Sequence, residues 1–537
     1  MVVNERSIHR YLIFFIILAL ISGLFVGLID ADSIQFSSIS LELLKRNDWL
    51  HIQHQRTNYI KLPPLLFWLS AFSFKVFGLS NLGYKLFGFI FMLISIYSTF
   101  KLTKIYYGQR AGRMAAIILG TNQGFFALLL DFRTDTILLG SVIFAIWQLT
   151  KYLRSHQFKN LLLGFLGISL AMLAQGLIGL LLPMFAIGID LVLRQKWEDI
   201  FKWQWLIGIP LIGIFLAPMI LGLNDQLLSL GKTNVSAIYF FFTEQNFTRT
   251  STDRSTIFIY FWAFLPWIAF TALALIDKLY SSFILNDNKK SKKHPEHISV
   301  GGFLFTLVFI AISGHHLPHS IYILTPFGAI FTAAYMDKMK PQSQNILYKI
   351  QTFLIFGLWM LSFLLLFYIF TPVNIVVAII SVLFFAMTVW SLFKLPPKKA
   401  IFVGTAIWAI SFAFIQSNHT YPKLLSYQSD SQIEKWFNTH PKELMRITDF
   451  GMLSEAKEFY SGQTIDKKSH VSQLTKQDRF LYTDDIGVQK IKQANIPYLI
   501  MKEHDGYNGS NLTLTFLNPK TRQNVLQKRY LIAIYPK

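Results

Sequence analysis

The segment that decides the fold runs from Asp30 to Pro64 and reads DADSIQFSSISLELLKRNDWLHIQHQRTNYIKLPP. It follows an apolar stretch, Tyr11 to Ile29, that is long enough to cross a bilayer. The segment opens with two aspartates, continues as a predicted amphipathic helix through Leu44, and ends on a lysine before two prolines. Carboxylates, a cation and aromatic rings at a membrane surface indicate chemistry on a charged lipid.

The composition around this segment is that of a polytopic membrane protein. Of 537 residues, 53% are hydrophobic and 15% are charged, and apolar runs of about 17–25 residues recur from Tyr11 to about Gln416. Beyond residue 416 polar residues dominate, and short strand-like runs alternate with two helical segments, Ser431–Asn438 and Asp485–Ala494. The sequence predicts an all-α transmembrane domain over residues 1–416 and a small α/β extracytoplasmic domain over residues 417–537.

Charge and cysteine content narrow the function classes. The net charge of +21 lies mostly in short loops between apolar runs, where it orients spans, so nucleic acid is not an expected partner. The chain contains no cysteine, which excludes disulfides and thiolate chemistry. The first apolar run lacks an Ala-x-Ala-like site at its end, and we interpret it as an uncleaved first span.

The basic residues also predict the topology. With a cytoplasmic N-terminus, the basic clusters share one side only if Leu65–Phe77 lies on the outer surface and does not cross. This arrangement gives about thirteen spans of bilayer length, and the boundary between two of them is marked by Gln175-Gly176 and Pro183. The outer segments are then residues 30–64, 131–135, 224–255 and 314–319, and the C-terminal domain.

The outer segments near the first span contain groups able to act on a lipid-linked sugar. Asp30 and Asp32 suit a general base or an acceptor-binding pair, although both could be solvated residues at a helix end. Lys61, shortly before a rigid Pro-Pro turn, can bind a phosphate or can simply extend its ammonium group to the water interface at a helix start. Tyr59 can bind substrate or be an ordinary interfacial aromatic. Residues 131–135 place two aspartates and Arg133 in a charged turn between spans, and Asp135 can act in the site or cap the helix that it begins.

Two later outer loops add further candidates. Residues 239–254 read YFFFTEQNFTRTSTDR, in which Glu244, Asn246 and Arg249 beside aromatic rings suit a lipid-linked anion or a surface-lying helix. The run His315-His316-Leu317-Pro318-His319 invites a metal interpretation. Three histidines within five residues cannot all face one ion on a helix, and no carboxylate or cysteine adjoins them, so no metal or other cofactor is indicated.

Together these segments resemble the polyprenyl-phosphate-sugar glycosyltransferases of the GT-C class. The resemblance is to glycosyltransferase family 39, the bacterial relatives of protein O-mannosyltransferases and of the lipid A aminoarabinose transferase. The matching elements, in chain order, are Asp32, Asp48-Trp49, Lys61-Leu62-Pro63-Pro64, Val76-Phe77-Gly78 through Tyr84-Lys85, Asp135, Glu244-Gln245-Asn246 with Arg249, and His316-Leu317-Pro318-His319-Ser320. The elements span the membrane part of the chain.

The resemblance implies a GT-C fold and an inverting transfer of a sugar from a polyprenyl-phosphate carrier. Asp32 and Asp135 are then the catalytic carboxylates, and Lys61 and Arg249 bind the donor phosphate. The implied substrate-binding residues are Asp30, Tyr59, Glu244, Asn246, His316 and His319. The acceptor would be lipid A, another glycolipid or a protein hydroxyl, at the outer face of the inner membrane of a bacterium.

Departures from the family pattern leave alternatives open. The acidic pair of the mannosyltransferases is Asp32-Ser33 here, a Lys-Gly element reads Gln175-Gly176, and the lysine of a Lys-Leu-Pro element is His316. Two phosphate-binding cations are therefore missing. The main alternative is a lipid-linked sugar flippase or another transporter, followed by an O-antigen polymerase or ligase and by a membrane scaffold.

Overall fold

The fold is that of a computed structural model. It describes residues 4–247, 262–281, 296–312, 318–438, 447–451, 459–460, 466–475, 478–507 and 512–534. Of the predicted site residues, Arg249 and His316 lie outside the described residues, as do the side chains of Asn246 and His319.

The N-terminal third forms long helices joined by short turns. The first is capped by the Asn4 side chain, which accepts a hydrogen bond from the Arg6 amide at 3.1 Å. The helices are α1 (Glu5–Leu24), α2 (Ala31–Arg46), α3 (Leu65–Phe77), α4 (Asn81–Gly120), α5 (Gln123–Leu130), α6 (Thr134–Ser155), α7 (Phe158–Gln175) and α8 (Ile178–Leu193). A short hairpin lies between α2 and α3. Its strands, β1 (Gln53–His54) and β2 (Thr57–Asn58), have two residues each. The predicted helix after Asp30 and the boundary at Gln175-Gly176 are both present.

Helix α4 is not straight, because it turns back at Gly108. This glycine has φ +87°, a value that L side chains rarely adopt. Beyond it the chain runs back along itself, so that a Cβ on Gly112 would lie only 2.9 Å from the Phe100 carbonyl oxygen. The kink therefore forms the basic connection predicted between Lys101 and Arg113.

The second part of the membrane domain contains further apolar helices. These are α9 (Trp197–Ile200), α10 (Gly208–Ser229), α11 (Ala237–Phe242), α12 (Glu244–Phe247), α13 (Ile268–Leu279), α14 (Ile298–Ile312), α15 (Thr325–Lys338), α16 (Pro341–Leu364), α17 (Ile375–Lys394) and α18 (Pro397–Ile415). Helix α18 continues through a π-helical turn into α19 (Tyr421–Leu425). The predicted domain boundary at residue 416 falls within this continuous helix and stays a prediction.

Among the described residues, eight helices are long and apolar enough to cross a membrane. Helix α8 and most of α14 are apolar but shorter, and the turn at Gly108 places two antiparallel segments within α4. The predicted count of about thirteen spans therefore stays a prediction. Helix α3 has only 13 residues, too few to cross a hydrocarbon core, as expected of a helix lying on the surface.

The polar C-terminal region builds a five-stranded sheet. Its strands are β3 (Ile447–Phe450), β4 (Asp466–Lys468), β5 (Phe480–Asp484), β6 (Tyr498–Gly506) and β7 (Gln527–Ile534), in the order β4-β3-β5-β7-β6. Strand β3 pairs in parallel with β4 and β5, whereas β7 pairs antiparallel with β5 and β6. The accompanying helices are α20 (Ser429–Asn438), α21 (Asp485–Gln493) and the short α22 (Leu514–Leu517). The predicted small α/β fold of this region is confirmed.

The Asp478 carboxylate stabilises the sheet domain and makes it sensitive to acid. It accepts hydrogen bonds from Lys468 (2.6 Å), from the Thr448 hydroxyl (2.7 Å) and from the Thr475 amide and hydroxyl (both 2.7 Å). Burial by itself would raise its pKa, but these donors outweigh burial and lower the pKa of Asp478 to about 2.

We expect the stability that this carboxylate contributes to be present above its unfolded pKa of about 4 and to disappear as the pH falls toward 2. Asp478→Asn should destabilise the domain by about 2 kcal/mol at pH 7 and flatten the acid limb of its unfolding curve. Thermal unfolding monitored from pH 7 to pH 2 measures both effects. Asp505→Asn, on the exposed side of β6, is the matched control, and an acid limb unchanged by Asp478→Asn would contradict the prediction.

Candidate active site

The two aspartates of the opening segment stand at the start of α2. Asp30 is its N-cap residue and accepts a hydrogen bond from the Ser33 amide at 3.1 Å. Asp32 lies in the first turn, where a carboxylate is favoured by the helix dipole, and its side chain remains 44% exposed. Asp30 therefore caps α2 and is partly buried, whereas Asp32 is partly open to solvent.

One arginine connects both carboxylates. Arg133 follows α5 and lies immediately before α6, and it forms ion pairs with Asp30 and, at 2.8 Å, with Asp32. Its side chain is 6% exposed. The sequence had drawn attention to residues 131–135 as a charged turn but assigned Arg133 no role.

A second layer of charge lies behind this arginine. Asp131 accepts a hydrogen bond from the Asp30 amide at 3.2 Å, and the Tyr421 hydroxyl lies 3.5 Å from its other oxygen. Burial raises the pKa of Asp131, and the neighbouring Asp30 carboxylate raises it further. Lys85, fully buried in α4, partly offsets this effect.

Asp135 lies in the first turn of α6, with 3% of the residue exposed. One of its carboxylate oxygens is buried and has no hydrogen-bond partner in the described part of the chain. Its charge, with those of Asp30 and Asp32, raises the pKa of Arg133 against the lowering effect of burial. Gln175 donates to the adjacent Thr134 hydroxyl at 3.0 Å. The structure therefore brings Asp135 to the same charged cluster, on its buried side.

The predicted phosphate lysine sits on a braced loop. Glu42 of α2 accepts hydrogen bonds from the amides of Gln55 (2.8 Å) and Arg56 (3.0 Å), both at the hairpin turn. The Trp68 indole donates to the Trp49 carbonyl at 2.6 Å, which ties the loop to α3. Lys61 is exposed at the end of this loop, two residues before Pro63 and shortly before α3, as a phosphate-binding cation requires.

Tyr59 is buried rather than presented on the surface. It is 7% exposed, and its ring packs edge-on against Phe67 at 5.7 Å and His54 at 6.3 Å. An interfacial aromatic would be more exposed, so that alternative is wrong for this residue. Tyr59 also lines a narrow cleft between the loop and α10, together with Leu50, Ile52, Ile60, Leu62, Met219, Leu223 and Gln245.

The loop after α11 reaches the lysine loop. Gln245 donates from its side-chain amide to the Ile60 carbonyl at 3.0 Å, next to Lys61. Glu244 pairs with Lys232 at 3.4 Å. The structure therefore brings residues 244–245 beside Lys61, and Asp30, Asp32 and Asp135 together around Arg133. The two groups are connected through α2 and α3, where Phe36 packs on Phe67 at 5.8 Å.

Comparisons with known proteins show which proteins the chain is similar to in sequence and in fold. A family model described as dolichyl-phosphate-mannose-protein mannosyltransferase matches residues 61–221, from the lysine of the loop into α10. An uncharacterized protein of Aquifex aeolicus (strain VF5) is 26% identical over 307 residues. This match covers 56% of the chain and 66% of that relative, just under two thirds of its length.

The fold itself is shared with a solved glycosyltransferase. The structure of ArnT from Cupriavidus metallidurans in the apo state aligns with a TM-score of 0.70 over 97% of this chain and 98% of that chain, at 14% identity. The chain has the GT-C fold of this enzyme. The same ArnT bound to undecaprenyl phosphate aligns with a TM-score of 0.69, also at 14% identity over 97% and 98% of the two chains.

The shared GT-C fold confirms the predicted fold class, and the eight long apolar helices agree with the predicted multi-pass membrane protein. It does not by itself assign roles to side chains, so the roles of Asp32, Asp135 and Lys61 stay predictions. The sequence missed Arg133, Asp131 and Lys85 as parts of the site. For Arg133 and Asp131 the signal was their charge beside apolar runs, since a buried ionisable group in a membrane protein is expected to have a partner. Lys85 also lies in one of the elements that match the family pattern.

Proposed function

We propose that this protein transfers a sugar from a polyprenyl-phosphate carrier to an acceptor at the outer face of the membrane, with inversion at the anomeric carbon. The observation that carries the proposal is the partly exposed Asp32, held by the buried Arg133 at the start of α2 in a GT-C fold. A carboxylate fixed by a buried cation, yet open to solvent on one side, suits the orientation of an incoming hydroxyl.

The chemistry follows from the two groups of residues. The acceptor oxygen attacks the anomeric carbon and forms the new glycosidic bond, while the bond from that carbon to the phosphate oxygen breaks with its electron pair. Asp32 orients the acceptor hydroxyl and takes its proton. Lys61 stabilises the charge that develops on the departing polyprenyl phosphate. Arg249 is proposed to share this task.

Other predicted residues fit supporting roles in the same reaction. Asp30 shares Arg133 with Asp32, and Asp135 adds its charge to the same cluster. Tyr59 shapes the cleft beside Lys61. Glu244, Asn246, His316 and His319 are proposed to complete the substrate site from the later outer loops.

The proposed donor class has support outside this chain. ArnT, which shares the fold over nearly the full length, has been solved with undecaprenyl phosphate, and the matching family model is named for a dolichyl-phosphate sugar enzyme. Both names describe a sugar carrier built from a polyprenyl chain and one phosphate. The acceptor is proposed to be lipid A, another glycolipid or a protein hydroxyl.

The proposed orientation places the N-terminus in the cytoplasm and the C-terminal domain outside the inner membrane of a bacterium. The alternation of basic clusters with basic-poor loops supports this orientation. The site and the sheet domain then lie on the same side, since Tyr421 at the start of α19 reaches Asp131.

A flippase would need ionisable groups along a pathway through the spans. Three buried charged groups of the described spans are instead paired near helix ends. Lys85 donates to the carbonyls of Gly23 and Val26, Asp190 pairs with Arg194 at 3.0 Å, and Glu296 pairs with Lys278 at 3.1 Å. These contacts favour a transferase over a transporter.

The proposal is tested by offering the purified protein a panel of undecaprenyl-phosphate sugars, each radiolabelled in the sugar, together with total envelope lipid and protein. Label that moves into the lipid or the protein fraction supports the transfer and identifies the acceptor class by its partition. Label that stays on the carrier with every donor would contradict it.

Replacing Lys61 tests the phosphate role. We expect Lys61→Met to lower kcat/KM for the donor about a hundredfold, because the charged contact to the leaving phosphate is lost while the apolar stem remains. Initial rates at varied donor concentration measure this effect. Lys75→Met, an exposed lysine in the last turn of α3, is the matched control and should leave kcat/KM unchanged. A Lys61→Met enzyme with wild-type kinetics would refute the assignment.

A further inference from the structure

The link between α1 and α2, the segment of residues 25–30, leads into the turn that carries Asp30 and Asp32. It forms neither a helix nor a strand. Helix α1 ends at Leu24 and α2 begins at Ala31. Backbone groups in such a link cannot pair within a helix, so buried ones need partners elsewhere in the molecule. The position of Asp30 and Asp32 depends on those partners.

The link is held at three alternate positions by three different parts of the chain. The Val26 carbonyl accepts a hydrogen bond from Lys85 at 2.9 Å. The Asp30 amide donates to Asp131 at 3.2 Å. Between them, the Leu28 amide donates to the hydroxyl of Tyr460 at 2.9 Å. The first two partners belong to the membrane domain, whereas Tyr460 lies between β3 and β4 of the C-terminal domain.

Tyr460 approaches the link closely enough to require a glycine there. A Cβ on Gly27 would lie 2.9 Å from the Tyr460 hydroxyl and 2.9 Å from a methyl carbon of Leu425. The hydroxyl is therefore in close contact with the backbone at residue 27. A side chain at this position would have to displace both Tyr460 and Leu425.

Phe459, the preceding residue, is anchored in the membrane domain. It is 2% exposed and packs with the hydrophobic core of the transmembrane helices, not with the core of the sheet. Its ring lies 6.0 Å from Phe74 and 6.2 Å from Tyr84. The Tyr84 hydroxyl donates to the Phe132 carbonyl at 3.0 Å, directly before Arg133.

We propose that Tyr460 is a positioning residue for the reaction, supplied by the C-terminal domain. Its hydroxyl fixes Leu28, two residues before Asp30, and Phe459 fixes the turn that presents Arg133. Both sides of the Asp32–Arg133 ion pair are thereby aligned by one pair of aromatic residues. The C-terminal domain thus helps to build the site, in addition to any contact it makes with an acceptor. This inference rests on the proposed transferase function.

The contact affects rate more than binding. The Tyr460 hydroxyl bonds the backbone that leads to Asp32, so its loss should shift the acceptor-orienting carboxylate. We expect the donor phosphate site at Lys61, on the loop before α3, to stay intact. Misplacement of a catalytic group by about 1 Å can lower a rate by roughly a hundredfold. We expect Tyr460→Phe, which keeps the ring and removes the hydroxyl, to lower kcat by about tenfold or more with the donor KM unchanged.

The test compares wild type, Tyr460→Phe and Tyr460→Leu in full-length protein, with undecaprenyl-phosphate sugar as donor. Tyr530→Phe is the matched control, since its hydroxyl bonds Asp485 within the sheet domain at 2.8 Å, and its kcat should equal that of wild type. Hydrogen exchange of the peptide covering residues 25–32 gives a readout that is independent of activity. In Tyr460→Phe this peptide should exchange faster, with an unchanged melting temperature.

The outcomes separate the inference from the function on which it rests. A lower kcat for Tyr460→Phe at constant KM, with faster exchange at residues 25–32, supports the positioning role. Wild-type kcat for Tyr460→Phe would overturn it, as would a loss seen only in Tyr460→Leu, because ring packing alone would then suffice. If wild type transfers no sugar, the proposed function fails. Hydrogen exchange at residues 25–32 still tests the contact in that case, because an unchanged rate in Tyr460→Phe would overturn the hydrogen bond between Tyr460 and Leu28.

Discussion

Replacing Asp32 by asparagine is expected to reduce sugar transfer by about a thousandfold and to leave the protein folded. General base and orienting carboxylates contribute roughly 10²–10⁴-fold to rates. Asparagine keeps the shape of the side chain and one acceptor oxygen for Arg133, but it cannot take a proton. Because Asp32 is 44% exposed, the neutral side chain remains solvated and should cost little stability.

The measurement is transferred label per mole of protein, with the melting temperature as a check on folding. Asp505→Asn is the matched control. It replaces an exposed aspartate on β6, outside the proposed site, and should retain wild-type transfer. An Asp32→Asn protein that transfers sugar at more than about a tenth of the wild-type rate would contradict the catalytic assignment.

Replacing Arg133 by glutamine is expected to have the second large effect, on both activity and stability. Arg133 is 6% exposed and neutralises Asp30 and Asp32, with Asp131 and Asp135 close by in the chain. Its removal leaves buried and half-buried carboxylates without their cation. Breaking a buried ion pair in this way typically lowers the free energy of unfolding by about 3–5 kcal/mol. Transfer should fall by at least a hundredfold, because Asp32 loses the contact that orients it.

Arg133→Lys separates charge from geometry. A lysine restores the positive charge but offers one ammonium in place of the forked guanidinium that contacts two carboxylates, so we expect stability to recover more than activity. Thermal unfolding and initial rates measure the two effects. Arg110→Gln, which breaks the exposed pair with Glu5 at 2.7 Å, is the control and should change stability by less than about 1 kcal/mol. Wild-type transfer by Arg133→Gln would remove the arginine from the mechanism.

The local features of the site could be predicted from the sequence because they depend on near neighbours. Helix α2 after Asp30, the break at Gln175-Gly176 and the strands of the C-terminal sheet follow from periodicity, caps and turn residues. The grouping of Asp32 with Asp135 came from resemblance to a family, and the structure places both beside Arg133.

The long-range contacts could not be predicted, because no spacing rule covers them. Arg133 lies 101 residues from Asp32, and Tyr460 lies 432 residues from Leu28. Their meeting depends on how the helices pack and on where the C-terminal domain docks. The number of spans was difficult to predict for a different reason: some of the described apolar helices, such as α8, are shorter than a bilayer crossing.

Tyr59 illustrates the limit of interpreting residue types one at a time. An aromatic residue near a membrane surface is commonly interfacial. Here the braced loop between α2 and α3 turns it inward, against Phe67 and His54. Only the tertiary structure distinguishes a ring that lines a cleft from one that lies among lipid headgroups.

The central claim is that the protein transfers a sugar from a polyprenyl phosphate to an acceptor hydroxyl, and that Asp32 orients and deprotonates this hydroxyl. The most direct measurement is the simultaneous quantification of free undecaprenyl phosphate released and of labelled acceptor formed, for wild type and Asp32→Asn in proteoliposomes. We predict one released carrier phosphate for each sugar transferred by wild type, and neither product above background for Asp32→Asn. Sugar that crosses the membrane still attached to its carrier, at equal rates in both proteins, would contradict the claim and identify a transporter.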